Sequence, residues 1–363
     1  MKVAVLGAAG TIAPAIVRDV ADSEEVESIL LLDLRGDVAA QVAAAQGLGK
    51  AEARQADARS GLERELEGID ALVNSASYRI NLEAMRAALA AGAHYLDLGG
   101  LYHVTGEQLG LDREFRDAGL LAVLGIGSSP GKTNLMGSRV VEELGETPRE
   151  MTVLAAGRDL KPPDGLALPY ALETLLDELT LPPVVLRDGQ PEEVEPLSDG
   201  GHHDFGDPIG AGDTIHTLHS ELRTFGESFG CAACSFRLSL PPTALDALRR
   251  LASASPDEVR AAAERAVPQS PETVSVHAVE ALGERRHASI RCLTPPHREW
   301  GLGGGIVSTA SPAAAAVRLL ARGEVTARGA LPPERCLPPE QMFDELRTRG
   351  CEFSVEVEER VAA

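Results

Sequence analysis

Residues 1–35, MKVAVLGAAGTIAPAIVRDVADSEEVESILLLDLR, hold a short apolar run, a glycine-punctuated turn, a helix-like stretch and a second apolar run that closes on an acid. Lys2 to Leu6 predicts a buried strand, Thr11 to Ala21 a helix and Ile29 to Leu32 the next strand. Gly7 lets the chain turn sharply off the strand, Gly10 removes a side chain where a pyrophosphate must approach, and Ala13 keeps the helix close to the sheet. Ala9, Thr11 and Ile12 complete a turn whose helix amino terminus faces phosphate oxygens. Asp33, about twenty residues past the turn, can accept hydrogen bonds from both ribose hydroxyls. The spacing Gly-x-x-Gly-x-x-Ala is by itself a weak signal, shared with packing turns in proteins that bind no nucleotide. The strand, turn, helix, strand, Asp context turns it into an expectation of dinucleotide binding.

Asp33 favours NAD over NADP, because a carboxylate repels a 2′-phosphate. Arg35, two residues on, offers either a stacking surface for adenine or a hold on that phosphate. Leu34 between them and Asp57, at the end of the third strand, are expected at the same adenosine edge.

The alternation continues as a doubly wound sheet requires. Ala51–Ala56, Ala71–Asn74, Tyr95–Leu98 and Leu120–Leu124 read as strands. Ser60–Glu67, Asn81–Ala91 (capped by Asn81 and stopped by Gly92) and Glu107–Ala118 read as the helices between them. Ligands bind such sheets at the carboxyl ends of the strands. There the chain carries Ser75, Ser77 and Tyr78, then Asp97-Leu98-Gly99-Gly100, then Gly125 to Asn134. Tyr78 and Asp97 are candidates for the chemistry, against the plainer reading that each satisfies local backbone donors. Pro130-Gly131-Lys132-Thr133 is not a phosphate loop, since the glycine required five positions before Gly131 is Ile126. Lys132 is either a partner for a substrate carboxylate or a solvated lysine.

At 363 residues the chain exceeds the size at which one core stops growing, so two domains are expected. The expected division is a Rossmann domain over 1–128 and 306–363, and a second α+β domain with a mixed sheet over 129–305, inserted before a carboxyl-terminal return. A net charge of −21 without a basic patch opposes nucleic acid and anionic membranes as partners and favours a small ligand. The sequence runs straight into its first strand, and no apolar stretch approaches the ~20 residues of a bilayer span. A cytoplasmic location is the expectation. The five cysteines are an odd number without a secretory context, which suggests reduced thiols. Cys231 and Cys234 form a C-x-x-C, but two further ligands at matching spacing are missing, so no metal site is expected.

In the second domain, Met151–Ala156 reads as a strand, and Gly200–Gly212, rich in Gly, Asp and His without periodicity, as a loop over a site. Thr217 to Phe225 crowds in His219, a proton donor or acceptor, and Arg223, a carboxylate clamp, with Thr224 beside it. The plainer reading is a surface segment. Pro241–Leu251 reads as a helix, and Ser255-Pro256-Asp257-Glu258 as a capping box opening another. Thr273–Leu282 and His287–Leu293 read as a hairpin, Ser311-Pro312 as the start of a helix, and Leu331–Pro339 as extended.

The glycine turn, Ser77-Tyr78, Tyr95 to Gly100, Pro130-Gly131 with Asn134, Leu175 to Gln190, Leu218-His219-Ser220-Glu221 and Leu331-Pro332-Pro333-Glu334 together resemble the saccharopine dehydrogenase superfamily, within it the lysine 6-dehydrogenase branch. The resemblance implies an NAD(P)-dependent oxidoreductase that acts on a C–N bond of an amino acid, with oxidative deamination of lysine as the leading activity. Saccharopine- or opine-type imine reduction is the alternative, and an NAD-binding sensor without catalysis is the alternative of another class. It further implies that Ser77 and Tyr78 contact cofactor and substrate, that Asp97 lies beside the nicotinamide, that the Arg223 region meets a substrate carboxylate, and that the chain forms a homodimer or larger homo-oligomer. Asp97 or His219 would manage the proton.

Overall fold

In the computed structural model, residues 1–165, 167–168 and 171–360 are described. The chain divides into two compact units. Met1–Leu135 and Thr309–Leu346 form the first, and Met136–Ser308 with the residues from Arg347 onward form the second.

The first unit is built on a parallel sheet. Its strands are β1 (Lys2–Leu6), β2 (Ser28–Asp33), β3 (Ala51–Gln55), β4 (Ala71–Asn74), β5 (His94–Asp97), β6 (Leu121–Val123) and a seventh, Gly329–Leu331. They lie in the order seventh, β6, β5, β4, β1, β2, β3. β1 is the hinge of that order, with Val3 opposite Ile29 on one side and Ala71 on the other. Val3, Ala4 and Val5 have no accessible surface, as a strand covered on both faces requires. The helix after β1, Ala13–Ala21, buries Ile16, Val17 and Val20. Asp19 is buried on it too, held by Arg318 Nη1 at 2.8 Å, while Arg318 Nε reaches Glu345 at 2.6 Å.

Several local expectations change here. Glu107–Ala118 is two helices, Leu101–Leu109 and Asp112–Asp117, parted at Gly110. Asn81 does not cap its helix, because its side chain is turned into hydrogen bonds at the strand ends. Leu331–Pro339 is not extended: after the seventh strand, Pro333 opens the short helix Pro333–Cys336, its fixed φ and missing N–H being tolerated in a first turn. The helix at Pro312 starts earlier, at Gly304, and holds the proline in its interior. This helix, Gly304–Ala321, is long and apolar enough for a membrane span by length and composition, with mean hydropathy 1.2, yet 78% of it is buried within the protein, as a core helix is.

Among the described residues, the second unit has a mixed sheet of nine strands. Its main path runs Gln190–Glu193, Val184–Arg187, Ala233–Ser239, Glu150–Asp159, Thr273–Leu282, Arg286–Thr294 and Glu352–Glu359. Ala233–Ser239 runs parallel to Glu150–Asp159, and the other pairs on this path are antiparallel. The predicted hairpin is present, with Leu282 opposite His287. So is the capping box: Ser255 N–H donates to Glu258 Oε2 at 2.8 Å, and Glu258 N–H returns to Ser255 Oγ at 3.4 Å.

Two expectations are corrected in this unit. Gly200–Gly212 is not a loop but the core of a hairpin, Asp199–Asp204 against Ala211–His216. Its first strand is mostly exposed, so burial imposes no alternation on its sequence. The carboxyl-terminal segment does not all return to the Rossmann unit, because Glu352–Glu359 pairs with Arg286–Thr294.

Candidate functional site

At the end of β1 the chain turns through Gly7, whose φ of 79° suits glycine. A Cβ there would lie 2.6 Å from the Ala76 nitrogen, so the turn also needs glycine for space. Gly10 N–H donates to Gly7 O at 2.9 Å and closes the turn. Ala9 and Gly10 are half-buried and Thr11 is exposed. Ile12 is the helix cap, and no side chain caps this amino terminus or places an acid in its first turn. A bare helix start under an open glycine turn fits a pyrophosphate.

Asp33 sits beside this turn. Its Oδ2 accepts from Ala9 N–H at 3.0 Å and its Oδ1 from Arg35 N–H at 2.8 Å. Each carboxylate oxygen has a second lone pair, so two acceptor positions remain for a ribose diol. The Arg35 guanidinium donates to Ala9 O at 2.7 Å, and its side chain is 62% exposed against 12% for Asp33. Leu34 is exposed between them, and Asp57 is exposed just beyond β3, where its Oδ1 accepts from Arg59 N–H.

At the end of β4, Ser75 Oγ donates to Leu6 O at 2.9 Å, which ties β4 back to β1. Ser77 is exposed and its Oγ accepts from Arg79 N–H, starting the short turn Tyr78–Ile80. Tyr78 is half-buried, with the Arg79 guanidinium 4.9 Å from its ring centroid. Behind them lies a buried polar network. Asn74 Nδ2 donates to Asn81 Oδ1 and to the Tyr95 hydroxyl, and Asn81 Nδ2 donates to Gly99 O.

Asp97 belongs to that network and not to an open site. It is completely buried. Its Oδ1 accepts from Gly99 N–H and Gly125 N–H, both at 2.8 Å, and its Oδ2 from Gln108 Nε2 at 2.6 Å. Burial pushes its pKa up, and the donors from Gln108, Gly125 and Gly99 oppose that rise without cancelling it. A carboxylate enclosed in this way cannot meet a substrate amine. It latches the ends of β5 and β6, and the expectation of a base at this position is corrected accordingly. Lys132 is corrected on the same ground. It opens the helix Lys132–Leu144 and has no accessible surface, so a substrate carboxylate does not reach it.

The second unit holds the other group of predicted residues. His219 precedes the helix Glu221–Phe229 and is 6% exposed. Its Nε2 lies 3.9 Å from Glu178 and its Nδ1 3.7 Å from Glu221, and its ring stacks on Phe236 at 3.5 Å. Both glutamates are buried. Burial alone lowers the imidazole pKa, but the two carboxylates outweigh it and the net shift is upward. Thr224 is buried and Arg223 is exposed on the same helix. The helix period thus separates neighbours that the sequence places side by side. Cys231 and Cys234 are free and buried, and among the described residues no three His, Cys, Asp or Glu side chains are placed to hold a metal ion together.

The sequence pattern of residues 3–123 matches the family described as the saccharopine dehydrogenase NADP binding domain. Among solved structures, the fold is similar to apo saccharopine dehydrogenase (L-Glu forming) from Saccharomyces cerevisiae, with a TM-score of 0.70 and 14% identity over 98% of this chain and 99% of that one. An NAD binding oxidoreductase from Klebsiella pneumoniae aligns at 0.45 and 13% identity, over 96% of this chain and 95% of that one. GenD2 from gentamicin A biosynthesis, in complex with NAD, aligns at 0.44 and 13%, over 100% and 97%. The chain therefore carries a saccharopine dehydrogenase-like fold, and its residues 3–123 match the sequence pattern of that family's NADP binding domain.

Proposed function

We propose that this protein is an NAD(P)-dependent dehydrogenase acting on a C–N bond of an amino acid, with oxidative deamination of lysine at its side-chain amine as the leading activity. The observation that carries the reading is the open glycine turn with Asp33 beside it, on a chain whose fold follows saccharopine dehydrogenase from end to end. Bound NAD(P) would supply the hydride acceptor. The protein's own work is then to hold the dinucleotide, orient a C–H bond and anchor a carboxylate.

Gly7, Ala9, Gly10, Thr11 and Ile12 would hold the pyrophosphate, with Asp33 on the ribose and Leu34, Arg35 and Asp57 at the adenosine edge. Ser75 and Ser77 would line the nicotinamide half, and the half-buried Tyr78 beside them would meet substrate. Arg223 is our proposed carboxylate anchor, since a guanidinium grips a carboxylate through two parallel hydrogen bonds. NAD is proposed over NADP because of Asp33. Arg35 supports the opposite preference, since its exposed guanidinium already lies at the glycine turn. A homodimer or larger homo-oligomer in the cytoplasm belongs to the same proposal.

The test is a panel of lysine, ornithine and carboxylate-free diamines with NAD and NADP, read at the nicotinamide absorbance band. Lysine should reduce NAD, and a diamine lacking the carboxylate should be poor. Consumption of reduced dinucleotide only when an amino acid and a keto acid are both present would favour imine reduction instead. Tight dinucleotide binding with no turnover on any of them would favour the sensor.

A further inference from the structure

The geometry points to Asn134 and Glu334 as a positioning pair that fixes the loop after β6 for the nicotinamide half of a bound dinucleotide, an inference that rests on the dinucleotide-binding reading above. The two residues lie 200 positions apart, in Pro130-Gly131-Lys132-Thr133-Asn134 and Leu331-Pro332-Pro333-Glu334. Asn134 Nδ2 donates to Glu334 Oε2 at 2.8 Å, and Asn134 Oδ1 accepts from Gly131 N–H at 2.8 Å. Asn134 is only 2% exposed and Glu334 is half-buried. A hydrogen bond to an ionised carboxylate is among the stronger ones a side chain makes.

The loop they hold has no slack. Gly131 has a φ of 121°, and a Cβ on it would lie 2.4 Å from Gly127 O and 2.5 Å from Gly127 N. Gly127 N–H donates to Pro130 O, and Lys132 N–H donates to Gly127 O, each at 2.9 Å. Asp97 grips the start of the loop through Gly125 N–H, so the asparagine–glutamate pair is the clamp at its far end. Glu334 follows the seventh strand, which pairs with β6 through Leu331 and Val123. Two adjacent strand ends are thus joined above the sheet.

In a sheet of this order, β1 to β3 carry the adenosine half of a dinucleotide, and β4 to β6 carry the nicotinamide half. A pair that acts through the β6 loop should therefore affect nicotinamide binding and leave adenosine binding alone. A merely structural pair would weaken both, or neither.

Isothermal titration of NADH and NADPH, each beside its nicotinamide-free fragment, ADP-ribose or 2′-phospho-ADP-ribose, separates these outcomes. Asn134→Asp keeps the acceptor for Gly131 N–H but sets a carboxylate against Glu334. It should weaken the preferred dinucleotide by about tenfold or more while its fragment stays within about twofold. Glu334→Gln combined with Asn134→Asp reverses donor and acceptor across the same contact and should restore dinucleotide affinity to within about threefold of the parent. Equal weakening of dinucleotide and fragment, unchanged dinucleotide affinity in Asn134→Asp, or failure of the double variant to recover would overturn the pair's role. If the parent binds neither dinucleotide nor fragment, the dinucleotide reading falls, and the pair's role falls with it.

Discussion

Asp33 and Arg35 sit two residues apart and pull the cofactor preference in opposite directions. The carboxylate, mostly shielded and oriented by two backbone donors, is pre-organised for a diol, whereas the exposed guanidinium must leave Ala9 O to meet a phosphate. We predict tighter binding of NAD than of NADP. Asp33→Ser should weaken NAD by roughly tenfold or more, as loss of charged hydrogen bonds does, and narrow the gap. Tighter binding of NADP by the parent would hand the discrimination to Arg35.

Asp97 allows a sharper prediction, because Gln108 Oε1 is buried without a hydrogen-bond partner. Asp97→Asn keeps a carbonyl oxygen for the two backbone donors, and rotation of the Gln108 amide would present its free oxygen to the new NH₂. Chemical denaturation should find that variant within about 1 kcal/mol of the parent at neutral pH, while Asp97→Ala, which strands three donors, should cost about 2–4 kcal/mol. The pH dependence has a definite sign. A carboxyl whose folded pKa is raised binds its proton more tightly in the native state, so its ionisation costs stability as pH rises from 3.8 to the folded value. The parent should lose stability relative to Asp97→Asn across that interval.

The cluster of His219, Glu178 and Glu221 beside the helix Glu221–Phe229 shows the converse sign. With its pKa raised by Glu178 and Glu221, the imidazolium contributes stability below 6.5, and that contribution is lost as pH rises through the higher folded value. We expect thermal stability of the parent to fall over that range, with Cys234 beside Glu221 titrating only well above it. His219→Gln should flatten the dependence. An unchanged slope would show that the ring is not charged in the native state.

Legibility followed the elements closely. Strands β1, β2, β4, β5 and β6 were readable because burial on both faces forces continuous apolar runs between turn residues. The hairpin at Asp199–His216 was hidden because a largely exposed edge needs no pattern. Single residues at strand ends were less legible still. Asp97 and Lys132 have the types a site uses, and only burial reveals that they face inward. Asn134 and Glu334 stood in separate motifs with nothing in the sequence to say that they touch. Glu178, the carboxylate nearest His219 Nε2, lies forty-one positions earlier, on a helix whose spacing advertises only its apolar stripe.

For the whole molecule, the two compact units each take a part under our proposal. Dinucleotide should stabilise the protein by mass action, about 2.7 kcal/mol at a hundred times Kd, with Asp33→Ser needing proportionally more ligand for the same shift. Substrate binding should respond at the other unit. Arg223→Ala should raise the Michaelis constant for lysine more than Arg223→Lys does, because lysine keeps the charge without the fork. Equal kinetics in the parent and in Arg223→Ala would reopen the substrate class.

The most direct test of the central claim is isotopic. Lysine carrying deuterium on the carbon next to its side-chain amine, incubated with the protein and NAD(P), should pass deuterium to the nicotinamide ring, detected by mass in the reduced dinucleotide. Reduced dinucleotide without label, or bound dinucleotide that no amino acid reduces, would contradict hydride transfer from that carbon.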